Sequence, residues 1–335
     1  MSFQQHAEGV DVRGKSRRKV MAPKLSLACK NHREDGFTVV ELLVVLGTLA
    51  ILSVLLLPAI AGTKPNSQAF QCLENQRQLA LGWQMYAQDN SDLLPPNDYP
   101  YLTAYATMST ATKAQHKNWV VGTMEQPLDA IDAPASSNIS ELLDPNTLLS
   151  SYVTNRAVYR CPADNYVDPN SHRVHVRSYS MNSAVGTIWS SYYASGSPPL
   201  GSAVAGSWLG GNTYNPSQTA WSTFGKMTSF NRPGPANTFV FMDENPYSIN
   251  DGSIAISAAA SPGNTYLIDF PSVNHNASAG IAFADGHVVV HKWADPRTYT
   301  PQGILQPGQG GTKSTLQGPD NQDCFYLARI TSAAR

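Results

Sequence analysis

The longest apolar stretch of the chain runs from Phe37 to Ala61, and its only charged residue is Glu41. As a helix with a rise of ~1.5 Å per residue, this segment would span roughly 37 Å, which exceeds the ~30 Å hydrocarbon core of a bilayer. The pattern therefore predicts a transmembrane helix over residues 37–61.

A second helix is predicted directly after the first. The segment 62–65 (Gly-Thr-Lys-Pro) is expected to interrupt the first helix, because proline removes a backbone donor and clashes with the preceding turn. Apolar residues between Ala69 and Ala87 then recur at helical spacing. This spacing predicts a helix from Asn66 or Ser67 to about Asp89, within a stem segment of residues 62–90.

Residues 91–335 have a different pattern, with short apolar runs between turn-forming residues, and are predicted to form one α+β globular domain. The chain holds 24 Gly and 23 Pro and only 14% charged residues, as in turn-rich β domains. One short helix is expected over Glu141–Ser150. The predicted early strands are Trp119–Val121, Val158–Arg160, Val174–Met181 and Gly225–Thr228.

The region 238–293 carries the strongest strand signals. Thr238–Met242 has the composition of a buried strand, while Gly280–Ala284 and Val288–Trp293 flank the dipeptide Asp285-Gly286. Asp-Gly is favoured in two-residue type I′ turns, because both positions need positive φ. The sequence therefore predicts a β-hairpin that turns at Asp285-Gly286.

Charge is distributed unevenly along the chain. Residues 1–36 contain eight Lys or Arg and four acidic residues, which leaves 15 basic and 20 acidic residues in the rest of the chain. Because basic flanks stay in the cytoplasm, the bulk of the chain is expected on the outer side of the membrane. The acidic remainder offers no basic face for nucleic acid.

Two other targeting signals compete with a permanent helix. Ala59-Ile60-Ala61 fits the cleavage site of a secretory signal, and Ser16-Arg17-Arg18-Lys19 resembles a twin-arginine signal. Glu41 decides among them, because a carboxylate within a membrane segment generally has a partner. Cleavage after Gly36 would give Phe37 a cationic amine one helical turn from Glu41.

The segment Gly36-Phe37-Thr38-Val39-Val40-Glu41 resembles the cleavage and methylation site of type IV prepilins and type II secretion pseudopilins. The resemblance implies that a prepilin peptidase cuts between Gly36 and Phe37 and methylates the new amine of Phe37. It gives Glu41 a role in assembly and makes residues 1–36 a cleaved leader, or 21–36 if Met21 is the start. The implied fold class is α+β and pilin-like, with a long N-terminal transmembrane helix followed by a mainly antiparallel β domain.

The spacing of His275 and Asp285-Gly286 resembles the prepilin-type processing-associated H-X9-DG domain. Other segments of that resemblance follow in the expected order: Cys72, Arg160–Asp164, Arg177–Asn182 and Asp243-Glu244. The family is defined by sequence, so the resemblance implies little biochemistry.

Candidate ligands for a metal ion also lie in this region. His275, Asp285 and His287 with Asp243 and Glu244 are nitrogen and oxygen donors for a divalent metal. Asn250, Asp251 and the pair Asp243-Glu244 could instead offer oxygen ligands for Ca²⁺, and no other cofactor is expected. The preferred interpretation is structural: Asp285 shapes the turn, and its carboxylate or a nearby backbone group holds His275 in place.

The four cysteines are Cys29, Cys72, Cys161 and Cys324, and none belongs to a C-x-x-C pair. A Cys72–Cys161 disulfide and buried free thiols are both compatible with the sequence. Motifs of serine hydrolases, zinc proteases and P-loop enzymes are absent, so no enzymatic activity is expected.

The sequence favours a structural subunit that is processed by prepilin peptidase and assembled into a type II secretion pseudopilus or type IV pilus-like fibre. Its expected partners are that peptidase, other pilins through the N-terminal helix, and the membrane. The expected location is the bacterial inner membrane, single-pass, with a cytoplasmic N-terminus and a periplasmic domain. The alternatives are a membrane-anchored module that recognises a glycan or envelope protein and, least favoured, a secreted enzyme with a His/Asp site.

Overall fold

The computed structural model describes residues 37–61, 63–97, 116–122, 144–167, 172–189, 199–211, 218–258, 267–299 and 321–335, with a few single positions between them. The predicted leader, including Gly36 and Cys29, lies outside the described residues. The chain divides into two compact units, residues 1–56 and 57–335.

Helix α1 spans Val39–Ala61. Thr38 precedes it and forms a capping box with Glu41, since Glu41 Oε2 accepts from Thr38 N at 2.9 Å and Glu41 N donates to Thr38 Oγ1 at 3.3 Å. The side chains described in this segment, residues 37–53, are all exposed. Among the residues that the structure describes, no helix is both long enough and apolar enough to cross a membrane.

Helix α2 spans Thr63–Asp89 and ends where the sequence predicts. It begins earlier than expected, because Pro65 occupies the first turn, where no backbone N–H is needed for the helix. One face is fully buried, and its residues recur every three to four positions: Cys72, Gln76, Leu79, Ala80 and Trp83. Burial of this face against the sheet stabilises α2 in the fold.

Five strands form one sheet in the order β3-β1-β2-β4-β5. The strands are β1 Tyr179–Asn182, β2 Phe239–Asp243, β3 Ser253–Ile254, β4 Ser278–Phe283 and β5 Val288–Lys292. β3 runs parallel to β1, and the other three pairings are antiparallel. After β5, the described residues form two helices, α3 at Pro296–Tyr299 and α4 at Gln322–Thr331.

The predicted fold class is wrong. The prediction was an α+β, pilin-like fold with a long transmembrane helix and a mainly antiparallel domain. The structure has a mixed five-stranded sheet with few helices, and none of its described helices is long and apolar enough to span a membrane. The predicted single-pass inner-membrane location is therefore not supported by the described helices.

The sheet is covered on both faces. Along β4, Ala282 faces the core that α2 covers, whereas Ala279, Ile281 and Phe283 face the opposite core, which includes Leu327 of α4. Sheets buried on both sides have apolar residues at successive positions, and every residue of β2 and β4 is buried. The buried run Thr238–Met242 is thus confirmed as a strand.

Several predicted short elements have a different form. Val158–Arg160 belongs largely to a 3-10 helix, Arg156–Tyr159, and Gly225–Thr228 overlaps another at Met227–Ser229. Of the predicted helix Glu141–Ser150, the described part has 3-10 conformation at Leu142 and in the turn Leu148–Ser151. The predicted strand Val174–Met181 contributes only its last residues to β1. Trp119–Val121 forms no strand.

The β4–β5 hairpin is confirmed, but its turn differs from the prediction. Gly286 N donates to Phe283 O at 2.9 Å, and Phe283 N donates to His287 O at 2.9 Å. Of the predicted Asp285-Gly286 pair, only Gly286 has positive φ, at 94°. This pattern is a three-residue loop closed by a left-handed glycine rather than a type I′ pair.

Candidate metal centre

Four buried side chains meet at the junction of α2 and the sheet. Cys72 lies on α2, Cys161 follows the 3-10 helix Arg156–Tyr159, Asp243 ends β2, and His275 precedes β4. Their potential ligand atoms all lie within 4.8 Å of one another. No other group of three or more such residues was found in the described part of the chain.

The backbone around His275 is tightly folded. Asn276 and Ala277 both have left-handed φ values, 59° and 56°, a conformation that costs free energy for a residue such as alanine. His275 N donates to Ser278 O, and Trp293 N donates to Ala277 O at 2.8 Å. With this backbone conformation, the imidazole of His275 lies buried near Cys161, directly before β4.

The potential ligand atoms of the cluster lie close to one another. His275 Nε2 lies 3.2 Å from Cys161 Sγ and 3.9 Å from Asp243 Oδ2. Asp243 Oδ2 also lies 3.9 Å from Cys72 Sγ. The four residues therefore surround a single small volume.

The surroundings of the cluster disfavour charge. Burial, together with the neighbouring Cys161, raises the pKa of the Asp243 carboxyl well above its usual range. Hydrogen bonding with Cys72, together with burial, raises the pKa of the Cys161 thiol. Without a cation, the site thus favours a protonated Cys161 thiol and a protonated Asp243 carboxyl.

A second layer of residues surrounds the cysteine on α2. Tyr179 Oη donates to Cys72 Sγ at 3.4 Å, and Gln76 Nε2 lies 3.8 Å from the same sulfur. Gly280 on β4 faces this pair, since a Cβ there would lie 3.3 Å from Cys72 Sγ and 2.4 Å from Gln76 Nε2. The absence of a side chain at Gly280 allows α2 to pack closely over the cluster.

The structure separates His275 from the Asp285-Gly286 part of its motif. Asp285 Oδ1 lies 2.6 Å from His287 Nδ1 in the exposed turn and also accepts from His287 N at 3.1 Å. Asp285 thus shapes the turn, as predicted from the sequence. Its described side-chain partner is His287, whereas the prediction had it hold His275. The grouping of Asp285 and His287 with His275 as metal ligands is not reproduced.

Asp243, Glu244 and Asp251, the residues predicted for calcium, do not form a group that could hold a metal ion in the described part of the chain. Glu244 Oε1 accepts from Ser248 Oγ at 2.9 Å, and Asp251 Oδ1 accepts from Ser253 N at 2.7 Å. Burial raises the pKa of Glu244 to about 8 and that of Asp251 to about 6, with the charge of buried Arg177 opposing both shifts. Only Asp243 belongs to the cluster.

Neither cysteine of the cluster was predicted as a metal ligand. Cys72 and Cys161 are free buried thiols, so the possible disulfide between them is not formed, and Cys324 is buried in the opposite core. The signal in the sequence was present, because both cysteines and His275 belong to the segments of the H-X9-DG resemblance. Nothing in their spacing shows that residues 72 and 275 meet.

At the N-terminal site, the residues predicted for processing are only partly described. Gly36 lies outside the described residues, and Phe37 is 77% exposed. Glu41 Oε2 also accepts from Thr38 Oγ1 at 2.8 Å. The carboxylate is therefore held at the N-terminal end of α1, one turn from Phe37.

No known protein family, curated protein or solved structure matches this chain. The functional assignment consequently depends on the sequence motifs and the geometry of the described residues.

Proposed function

We propose that this chain is a structural subunit that is cleaved between Gly36 and Phe37 by a prepilin peptidase and assembles through α1. The proposal rests on one observation, the apolar and exposed surface of α1. The described side chains from Phe37 to Leu52 include eleven exposed large apolar residues: Phe37, Val39, Val40, Leu42, Leu43, Val44, Val45, Leu46, Leu49, Ile51 and Leu52. A helix that is apolar all round is stable when other apolar groups cover it.

The proposed cover for α1 is the same helix of other copies of the chain. Glu41 is the only charge between Phe37 and Ala61, and cleavage creates one cation, the amine of Phe37. Pairing of that amine with Glu41 of a neighbouring copy would neutralise both charges inside an apolar bundle. The proposal concerns the N-terminal segment and does not require a pilin-like fold of residues 57–335. The basic leader supports an extracytoplasmic position for those residues.

The processing step is tested by mass spectrometry of the N-terminus of the protein from its native cell. The expected mature chain begins with N-methylated Phe37. A mature chain that begins at Gly62 would show removal of an ordinary signal peptide and would overturn the proposal.

The assembly step is tested with two matched substitutions that separate charge from helix capping. Glu41→Gln removes the charge but keeps a capping-box residue at this position. Thr38→Val removes the capping hydroxyl and keeps the charge. The measurement is chemical cross-linking between two differently tagged copies in cells, followed by co-purification.

We expect the Glu41→Gln chain to be cleaved normally and to lose its cross-links, whereas the Thr38→Val chain keeps them. Cross-linking of Glu41→Gln at the wild-type level would show that the charge has no role in assembly. That result, combined with normal cleavage, would instead favour a displayed binding module.

A further inference from the structure

We propose that Cys72, Cys161, Asp243 and His275 form a structural zinc site. This inference is independent of the proposed assembly function, because it concerns residues of the globular unit only. Four separate segments of the chain supply the ligands, and a bound ion would tie α2, the Cys161 segment, the end of β2 and the turn before β4 together.

The types of donor atom indicate which metal fits. Two cysteine sulfurs, one imidazole nitrogen and one carboxylate oxygen are ligands found around Zn²⁺, whereas Ca²⁺ and Mg²⁺ prefer oxygen ligands alone. Soft thiolate ligands also disfavour the hard cations. Four protein ligands fill a tetrahedral coordination shell, and such closed sites are structural rather than catalytic.

The spacing of the donors fits a tetrahedral ion. With zinc–ligand bonds of about 2.0–2.3 Å, tetrahedral geometry places neighbouring donor atoms roughly 3.3–3.8 Å apart. The observed separations are 3.2 Å between Cys161 Sγ and His275 Nε2 and 3.9 Å for the two contacts of Asp243 Oδ2. For these three pairs, shifts of a few tenths of an ångström would reach the tetrahedral spacing, and the remaining pairs of donor atoms lie within 4.8 Å of one another.

The carboxylate gives a second, independent argument. Asp243 is fully buried, and its Oδ1 atom has no hydrogen-bond partner among the described residues. No Lys or Arg in the described part of the chain forms an ion pair with it. Buried carboxylates are generally paired or bound to a metal, because an isolated buried charge is costly. A zinc ion would supply the missing positive partner.

A Cys72–Cys161 disulfide is the competing use of the two sulfurs. It would give no role to His275, whose Nε2 lies 3.2 Å from Cys161 Sγ, or to Asp243. A metal ion would give all four side chains a role as ligands. The hydrogen bond from Tyr179 to Cys72 also resembles the outer-shell contacts that orient metal ligands.

The test uses the full chain, produced with a tag that lacks histidine and purified without chelator. Metal content is measured by inductively coupled plasma mass spectrometry, and the mass of the denatured protein is measured in parallel. We expect about one zinc ion per chain in the wild type and a loss of at least tenfold in Cys72→Ser and His275→Ala. Cys324→Ser is the matched control, since Cys324 is also a buried cysteine but lies in the opposite core, and this variant should keep its zinc.

A second measurement covers the case in which these variants do not fold. Wild-type protein is stripped with a chelator, checked for folding by circular dichroism, and titrated with Co²⁺. Binding should produce cobalt–thiolate charge-transfer absorption, and Tyr179→Phe should weaken the binding by about tenfold.

Two results would overturn the proposal. One is a wild-type protein without zinc that also shows no cobalt–thiolate absorption. The other is a wild-type mass lower by two hydrogens with a Cys72–Cys161 peptide, which would assign the sulfurs to a disulfide. Neither result depends on cleavage at Gly36 or on assembly, so failure of this inference is distinguishable from failure of the proposed function.

Discussion

The contact between α2 and β4 at Gly280 allows a direct test of whether close packing of this helix on the sheet contributes to stability. Gly280 has an ordinary strand conformation, so its role concerns space rather than backbone freedom. In Gly280→Ala, the new Cβ would lie 2.4 Å from Gln76 Nε2 and 3.3 Å from Cys72 Sγ. Gln76 is fully buried, and its amide therefore has no solvent to move into.

The substitution requires a displacement of Gln76 or of the α2 backbone. Overpacking of this kind costs about 1–3 kcal/mol in the free energy of unfolding. For a domain of this size, each kcal/mol lowers the melting temperature by about 2–4 °C. We expect a decrease in the urea midpoint with an unchanged m-value, measured by circular dichroism on the full chain.

Two variants control this prediction. Gly234→Ala places a Cβ where no atom lies within 4 Å, and its φ of −71° suits alanine, so its stability should equal that of the wild type. In the double variant Gly280→Ala/Gln76→Ala, removal of the amide relieves the clash, so the two losses should not add. An unchanged Gly280→Ala protein, or a double variant with strictly additive losses, would refute the packing argument.

Two further predictions concern buried polar groups away from the cluster. Burial raises the pKa of the Asp269 carboxyl well above its usual range, and neighbouring Glu244 and Asp251 add to the shift. The folded chain therefore keeps a proton that the unfolded chain loses near pH 4. As the pH rises from there through the folded pKa, this group lowers the free energy of unfolding. Asp269→Asn should therefore flatten the decrease in melting temperature as the pH rises above about 4, and equally steep profiles would contradict the argument. Asn321 caps α4 by accepting from Asp323 N and Cys324 N, so Asn321→Ala should lower the free energy of unfolding by about 0.5–2 kcal/mol. Asn155→Ala, at an exposed cap of a 3-10 helix, should cost less in the same urea titration, and equal losses would contradict a role for burial.

The elements that could be predicted from sequence are those whose apolar pattern is complete within one segment. β2, β4 and β5 are found within one or two residues of their predicted positions, since each is an apolar run bounded by turn residues. The end of α2 was predicted correctly because its apolar pattern is also complete within one segment. Its buried residues repeat at helical spacing up to Ala87.

The elements that were missed depend on distant parts of the chain. β3 has two residues and exists because it pairs in parallel with β1. α4 is the exception, because its capping asparagine and its buried residues Cys324, Leu327 and Ile330 form a local helical pattern that was not recognised in the sequence. The pilin-like fold was inferred from the N-terminal motif, which contains no information about how residues 91–335 pair into a sheet.

The spacing between His275 and Asp285 gains a physical meaning from the structure. His275 lies just before β4 and faces Cys161, whereas Asp285 lies just after β4 and shapes the turn with His287. The two residues are at opposite ends of a six-residue strand, about 20 Å at ~3.4 Å per residue. The nine intervening residues thus set the length of β4 rather than a contact between histidine and aspartate.

The length of β4 matters because its two faces accommodate side chains of different size. Gly280 and Ala282 are small and lie towards α2, while Ile281 and Phe283 fill the opposite core. A change of one residue between His275 and the turn would exchange these faces, since successive side chains of a strand alternate. Ile281 would then meet Gln76 and Cys72, where a single added Cβ already has no room. The spacing of His275 and Asp285 is therefore a constraint on strand register, and it keeps His275 at the cluster and the small residues under α2 at the same time.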